Sequence, residues 1–310
     1  MQQAELAEGL APASGQRHPL RIAIGIATVG RPDILCETLA RLNRQTRLAD
    51  AIVVSSPTAE DVAGIAENHA GVTLIRSERG SSHQRNAIID HLDGFDVVVF
   101  LDDDFIPSAD YLAAVEAIMV QHPDVVMTTG LVLRDGILGP GLTFKEADRI
   151  LADAAFDDAD AALDPVADGY GCNMSARLRT VRKFGVRFDE TLPLYAWLED
   201  VDFSQQLAQG GRIVRAHATK GVHLGVKSGR QRGLKLGYSQ IANPIYLSRK
   251  GTCPWRRSLF LMSRNMAANA LKTLAPEPWV DRKGRLLGNL CALADLMGGR
   301  LDPRKVLSFK

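Results

Sequence analysis

Short apolar segments of two periods alternate along the first half of the chain. Leu20, Ile22, Ile24 and Ile26 alternate with Arg21 and small residues, the period of a strand. Pro32 suits the first turn of a helix, and Ile34, Leu35, Thr38, Leu39 and Leu42 continue at helical spacing. Ile52, Val53 and Val54 read as a second strand, and Val72, Leu74 and Ile75 as a third. Thr58 with Asp61 resembles a capping pair that opens a helix between them. A helix follows over 82–92, a fourth strand over 97–101, a helix capped by Ser108 and running to Gln121, and a fifth strand over 125–133. This order predicts an α/β fold with a mainly parallel central sheet and flanking helices.

Beyond residue 135 the pattern weakens. Gly136, Gly139, Pro140 and Gly141 punctuate a loop. Asp157, Asp158, Asp160 and Asp164 stand in an Ala-rich stretch expected to be exposed and mobile. Gly169-Tyr170-Gly171 leads through Cys172-Asn173-Met174 into a short helix ending at Phe184. Another helix is expected over 198–209, stopped by Gly210-Gly211, and Ile213 with Val214 starts a short strand. The end reads as helical. Leu259, Met262, Met266, Ala270 and Leu274 form one stripe, and Leu286, Leu290, Leu293 and Met297 another. The expected division is a flexible tail over 1–18, one α/β domain over 19–228, and a mostly helical C-terminal extension over 229–310.

Charge changes this picture more than composition does. With 46% hydrophobic and 24% charged residues, the chain has the make-up of an ordinary soluble protein. The net charge of +1 conceals a split. From Arg212 onward, 20 Lys and Arg face 4 Asp and Glu, a balance of +16, while the remainder has 17 against 32, a balance of −15. The basic third is expected to meet phosphates, a lipid headgroup surface or nucleic acid, or else to neutralise the acidic part across an internal interface. Cys36, Cys172, Cys253 and Cys291 are far apart and form no CxxC pair, which argues against zinc and a disulfide framework and fits a reducing cytosol. No run approaches the roughly 20 apolar residues that span a bilayer. Residues 1–18 lack the basic start and apolar core of a signal peptide.

Asp102-Asp103-Asp104 is the strongest chemical signal. It follows the valine-rich run 97–101, and open α/β sheets bind ligands beyond the carboxyl ends of such strands. Three carboxylates held together repel unless a cation joins them, and oxygen ligands of this kind suit Mg²⁺ or Mn²⁺ with substrate phosphates. The competing reading is a polar loop or helix cap. Glu199-Asp200, with Asp202 close behind, begins a helix after Leu194-Tyr195-Ala196-Trp197. Capping explains one acid there, and a general base beside an aromatic-lined pocket explains the surplus. His223, followed by Lys227 and Arg230 in a Gly-broken loop, is a candidate for metal and diphosphate contact, with His217 as competitor.

Taken in order, Asp102-Asp103-Asp104, residues 171–177 (GCNMSAR), Phe188-Asp189-Glu190, Glu199-Asp200-Val201-Asp202 and His223-Leu224-Gly225 resemble family 2 glycosyltransferases of GT-A fold. Gln84-Arg85-Asn86 resembles the family's Arg-Asn segment before the acidic motif. The resemblance covers about Leu20 to Gly225 and implies a GT-A nucleotide-diphospho-sugar transferase fold. Residues 19–135 would be the nucleotide-sugar half and 136–228 the acceptor half. It implies an inverting, metal-dependent transfer from a nucleotide-sugar, usually a UDP-sugar, to a hydroxyl of a glycan or lipid-linked saccharide in surface or exopolysaccharide synthesis. Asp102 and Asp104 would be the outer acids of the DxD motif. Asp104 and His223 would hold Mn²⁺ or Mg²⁺, Asp102 would lie near the ribose or the metal, and Asp103 would belong to the cofactor-binding residues. Thr28, Arg31 and Arg85 would surround the nucleotide, Lys227 the diphosphate, and Asp200 would be the base. Ser55-Ser56-Pro57 stands where the family often has an acid that contacts uracil.

The implied partners are the donor, the acceptor and an anionic surface at the inner face of the cell membrane, with no nucleic acid and with a homo-oligomer as a further expectation. Rival readings lack their own signals. A phosphatase of haloacid-dehalogenase type uses Asp-x-Asp after its first strand, whereas this cluster follows the fourth. The loop after strand one, Ala27-Thr28-Val29-Gly30-Arg31-Pro32, matches neither G-x-x-x-x-G-K-[ST] nor G-x-G-x-x-G. A sugar-binding scaffold with a decayed site would lack the base or the metal acids.

Overall fold

β1 (Ile22–Ala27), α1 (Pro32–Leu42), β2 (Ala51–Ser56), a short α2 (Ile65–Asn68), β3 (Val72–Arg76), α3 (Ser81–His91) and β4 (Val97–Asp102) follow the order the apolar spacing predicts. The computed structural model describes residues 19–154, 161–228 and 233–309. β1 pairs in parallel with β2 and with β4, and β2 with β3. The valine run has no alternation because both faces of β4 are covered. Val98 and Phe100 enter one core with Ile88, Phe188 and Phe203, and Val97, Val99 and Leu101 another with Leu35, Leu39 and Tyr111.

The second half is mixed rather than parallel. It contains β5 (Phe105–Pro107), α4 (Tyr111–Gln121), β6 (Val125–Asp135), α5 (Phe144–Asp153), β7 (Leu163–Pro165), β8 (Asn173–Arg177), α6 (Leu178–Phe184), α7 (Glu199–Leu207) and β9 (Arg212–His223). β8 lies antiparallel between β4 and β6, and β9 runs parallel to β6 and antiparallel to β5 and β7. The resulting order is β3-β2-β1-β4-β8-β6-β9-β5, with β7 also on β9.

Several local expectations change. Residues 173–177 form a strand before the short helix. Asp61 does bond Thr58, but the helical turn there is only the 3-10 segment Glu60–Val62. Ser108 does not cap α4, whose N-cap is Asp110. Of the four acids in the Ala-rich stretch, Asp157, Asp158 and Asp160 lie outside the described residues, as does the expected tail over 1–18. Asp164 sits in β7 and meets His217 at 2.7 Å.

The C-terminal part consists of α8 (Gly233–Lys250), α9 (Trp255–Lys272) and α10 (Arg282–Met297). α8 and α10 cross at glycines, since a Cβ on Gly237 would stand 2.0 Å from the Arg285 carbonyl oxygen. Leu247 of α8 packs with Leu192, Ala196, Leu198 and Val201, so this part is joined to the segment that opens α7. No helix among the described residues is long and apolar enough to cross a membrane.

Candidate active site

The three aspartates do not act alike. Asp103 is fully buried and turned inward. It accepts from Thr28 Oγ1 at 2.6 Å and Arg31 Nε at 3.2 Å, and Arg31 Nη2 lies 2.5 Å from its second oxygen. Thr38 Oγ1 donates to its carbonyl at 2.7 Å. Burial, opposed by Arg31, raises the Asp103 carboxyl. Thr28 and Arg31 therefore bracket the acidic turn, and Thr28 itself is buried. Arg31 also reaches Asp104 at 3.4 Å.

Asp102 and Asp104 face the opposite side, toward His223. The His223 Nε2 lies 3.4 Å from Asp104 Oδ1 and 4.0 Å from Asp102 Oδ2. One ligand atom from each of the three falls within 4.8 Å of the others, a spacing suited to one metal ion. Asp104 also accepts from the Val226 N–H at 2.8 Å. Burial works against its charge, but His223, Arg31 and this N–H prevail and hold it at about 2. Burial likewise opposes a charge on His223, yet Asp104 and Asp135 push it up to about 10.

His223 is aimed by Asp135, which meets Nδ1 at 2.9 Å and also accepts from Tyr170 OH at 2.8 Å. A partner on the far nitrogen is the usual way a ligating histidine is oriented. Two glycines let the strand ends close on each other. A Cβ on Gly136 would stand 2.0 Å from the Leu224 carbonyl oxygen, and Gly225 takes a left-handed φ of +66° against Gly136. Lys227 caps this junction, its Nζ donating to the carbonyls of Gly136 and Ile137 at 3.0 Å each. His217, the competing histidine, is on the β7 side with Asp164.

Arg85 was expected at the nucleotide, and the structure gives it an internal bridge. It is buried and donates to Glu199 at 2.5 Å, to the Gly171 carbonyl at 2.8 Å and to Asp102 at 3.2 Å. Its guanidinium lies over the rings of Phe188 and Phe100. Glu199 is pushed up to about 8 by burial and by Asp200, against the pull of Arg85. Next to it, Asp200 accepts only backbone N–H groups among its hydrogen bonds, from Gly171 at 3.0 Å and Val201 at 2.8 Å. Burial raises its carboxyl, opposed by those N–H groups. Gly171 is the floor between the two acid groups, since a Cβ there would lie 3.4 Å from Asp200 Oδ2 and 3.3 Å from Glu199 Oε1.

The loop that delivers Asp200 is strained. Among the described residues, Leu194, Ala196 and Leu198 are the non-glycine residues with left-handed backbone, at φ of 60°, 50° and 76°. Such conformations cost energy and persist where surrounding contacts fix them. Ser81 N–H holds the Leu194 carbonyl at 2.8 Å, and Asn243 of α8 holds that of Trp197 at 2.8 Å. Tyr195 is left half-exposed at the tip. Asp202 takes no part in the pocket: Thr252 donates to it at 2.6 Å and Lys250 at 2.8 Å, and Lys250 also reaches Asp189 at 2.6 Å.

Sequence reasoning missed Asp135 and the Glu199–Arg85 pair. An acid ending a predicted strand was the available signal for Asp135. Nothing local indicates that Arg85 turns inward. The missing acid after β2 has a neighbour in space: Asp61, nearly buried, accepts from the Gly30 N–H at 2.6 Å.

Comparison with known proteins gives a consistent answer. The family model for glycosyl transferase family 2 matches residues 23–176. No curated protein matches the chain by sequence. Among solved structures, a mannosyltransferase from Pyrobaculum calidifontis, in complex with GDP-Man and Mn²⁺, aligns with a TM-score of 0.54 and 16% identity over 94% of this chain and 86% of that one. GalNAc-T7, solved with UDP, GalNAc and Mn²⁺, aligns with a TM-score of 0.53 and 14% identity over 91% of this chain and 59% of its own. TarS residues 1–349 of S. aureus align with a TM-score of 0.50 and 13% identity, over 72% of this chain and 64% of the TarS fragment. The matched segment contains β1 to β8 and the Asp102–Asp104 turn. Through residues 23–176 the chain belongs to glycosyl transferase family 2, and it has the GT-A fold of these neighbours.

Proposed function

We propose that this protein is an inverting, metal-dependent glycosyltransferase that moves a sugar from a nucleotide-sugar to a hydroxyl of a glycan or lipid-linked saccharide. The observation that carries the reading is the pairing of two unlike sites across Gly171. On one side Asp102, Asp104 and His223 converge within ion-binding distance. On the other, Asp200 has no cationic hydrogen-bond partner and keeps part of its surface open.

Two carboxylates and one imidazole are a fitting donor set for Mn²⁺, and for Mg²⁺ if more oxygen ligands come from water and phosphate. When bound, the ion would supply charge neutralisation for the departing diphosphate. Arg31, 3.4 Å from Asp104, and Lys227, bonded to the Gly136 and Ile137 carbonyls, would add positive charge beside the ion. Asp200 takes the proton of the acceptor hydroxyl as that oxygen attacks the anomeric carbon from the face opposite the diphosphate. One displacement inverts that carbon. Burial makes Asp200 a stronger base than a free carboxylate, which suits this task. Tyr195 at the rim offers an apolar face for a saccharide ring.

A UDP-sugar is the first donor to test, and GDP-mannose the second, because similar folds have been solved with UDP and with GDP-Man. Thermal denaturation with UDP, GDP, dTDP and CMP, each with and without Mn²⁺, identifies the nucleotide, since a ligand selective for the folded state raises the midpoint. The expected result is a shift for one nucleoside diphosphate that needs the metal. Equal shifts with chelator, or none with any nucleotide, overturn the reading.

A further inference from the structure

α9 is anchored on one side only. Ser258 donates to the Pro244 carbonyl at 3.1 Å, and Asn269 donates to Gln240 and Asn289 at 2.9 Å each. Met262 and Met266 pack inward on the α8–α10 core, so two members of the expected stripe are internal. The opposite side presents Leu259, Phe260 and Leu271, which are 55%, 63% and 71% exposed, and Leu274, just past the helix end, is 88% exposed. Helical geometry sets Arg256 and Arg264 on the same arc. α9 contains no Asp or Glu. The next acid in the chain, Glu277, is paired with Lys272 and Arg282.

Large apolar side chains gathered on one exposed helix face mark an interaction surface. The charge pattern selects its occupant. A second copy seated symmetrically would set arginines against arginines with no carboxylate on either face. Anionic headgroups supply the missing counter-charge, and the acyl boundary accepts the Phe and Leu side chains. Trp255, half-exposed at the start of the helix, is a residue type that favours that boundary. We propose that α9 lies flat on an anionic phospholipid surface through this face.

The helix is also coupled to the pocket. Arg257 donates to both oxygens of Asp168, at 2.5 and 3.0 Å, just ahead of the Gly169–Gly171 turn that bonds Asp200. A docked α9 would therefore hold the acceptor side of the pocket at the lipid surface. The docking stands on the face itself and does not depend on which sugar is transferred.

The test is co-sedimentation of the full chain with phosphatidylglycerol-containing vesicles and with pure phosphatidylcholine vesicles, at low and high salt, with light scattering of the protein alone. Sedimentation with the anionic vesicles at low salt is expected, with apparent affinity falling at least about tenfold at high salt or on neutral vesicles. The double substitution Phe260→Ser/Leu271→Ser should lower the affinity about tenfold or more with an unchanged thermal midpoint, because both side chains are solvent-exposed. Protein that stays in the supernatant with anionic vesicles at low salt overturns the proposal. So does a doubly substituted protein that binds as tightly as the parent, or a stable dimer that the same substitutions dissociate.

Discussion

The acids at the end of β4 and those at the start of α7 solve the same problem in different ways. Both groups crowd carboxylates into a poorly solvated place. At β4, Asp103 is neutralised by Arg31, while Asp102 and Asp104 meet across His223. At α7, Glu199 is neutralised by Arg85 and Asp202 by Lys250, while Asp200 rests on two peptide N–H groups. In each group the acids matched to a cation build the wall. The remaining acids differ: Asp102 and Asp104 share His223 besides their longer contacts to Arg85 and Arg31, and Asp200 has no cationic hydrogen-bond partner; in the proposed function the first pair serves the ion and the last takes the proton. Sequence adjacency hides this division, because neighbours in the chain point to opposite sides.

The largest effect is expected at the β4 acids. Sugar transfer, followed as release of nucleoside diphosphate, should fall to background in chelator and return with Mn²⁺. Asp104→Asn should do the same while leaving the far-ultraviolet circular dichroism intact. Full activity in chelator would make the β4 acids structural. At α7, Asp200→Asn should lower turnover by about 10²- to 10⁴-fold while nucleotide-induced thermal stabilisation is kept. Unchanged turnover would return Asp200 to helix capping.

The wall acids predict stability effects instead. Above about pH 8, where Glu199 is ionised, Arg85→Met leaves it buried without its cation and should cost roughly 3–5 kcal/mol by denaturant unfolding. A loss below about 1 kcal/mol would mean that Glu199 is already neutral in the parent. A smaller effect, about 1–3 kcal/mol, is expected for Lys250→Met, since Lys250 is partly solvated. That substitution also carries a pH signature. Burial alone would raise Asp189, but Lys250, the Thr191 N–H and Tyr246 hold it below the usual carboxylate range. A depressed carboxyl adds stability that is present above its unfolded value of about 3.9 and lost as pH falls through the folded value. The parent should therefore lose stability more steeply than the Lys250→Met variant on the acid side of about pH 4.

The sequence made the β-α alternation legible because those elements bury one local stripe each. It hid α8 for the opposite reason. Residues 237–245 of that helix are buried without a break, so no polar face sets a period, and Pro244 and Gly237 argue locally against a helix. β8 was hidden by polar strand residues that find partners only across the sheet, as Asn173 does with Thr129 at 3.1 Å. α5 went unread although its Thr143–Glu146 capping box is a local pattern, because the Gly- and Ala-rich segments on either side drew the reading to a loop. The Asp cluster and His223 were readable because a strand end fixes where they sit. The direction of Arg85 was not readable, since the aromatic rings and Glu199 that draw it inward are far away in sequence.

Gly171 and Cys172 act on the pocket through their peptides. The Gly171 carbonyl receives Arg85, its N–H binds Asp200, and the Cys172 carbonyl receives the Asp102 N–H at 3.1 Å. These contacts form a gauge that ties the Asp102 turn to the Asp200 carboxylate through main-chain atoms. A gauge of this kind is blind to side-chain exchange in the rim loops. If the proposed function holds, Tyr195 and its neighbours can be rewritten for a different saccharide without moving Asp102 against Asp200. Under that function, choice of acceptor and placement of the reaction would be separately adjustable parts, and a redesign of one would not recalibrate the other.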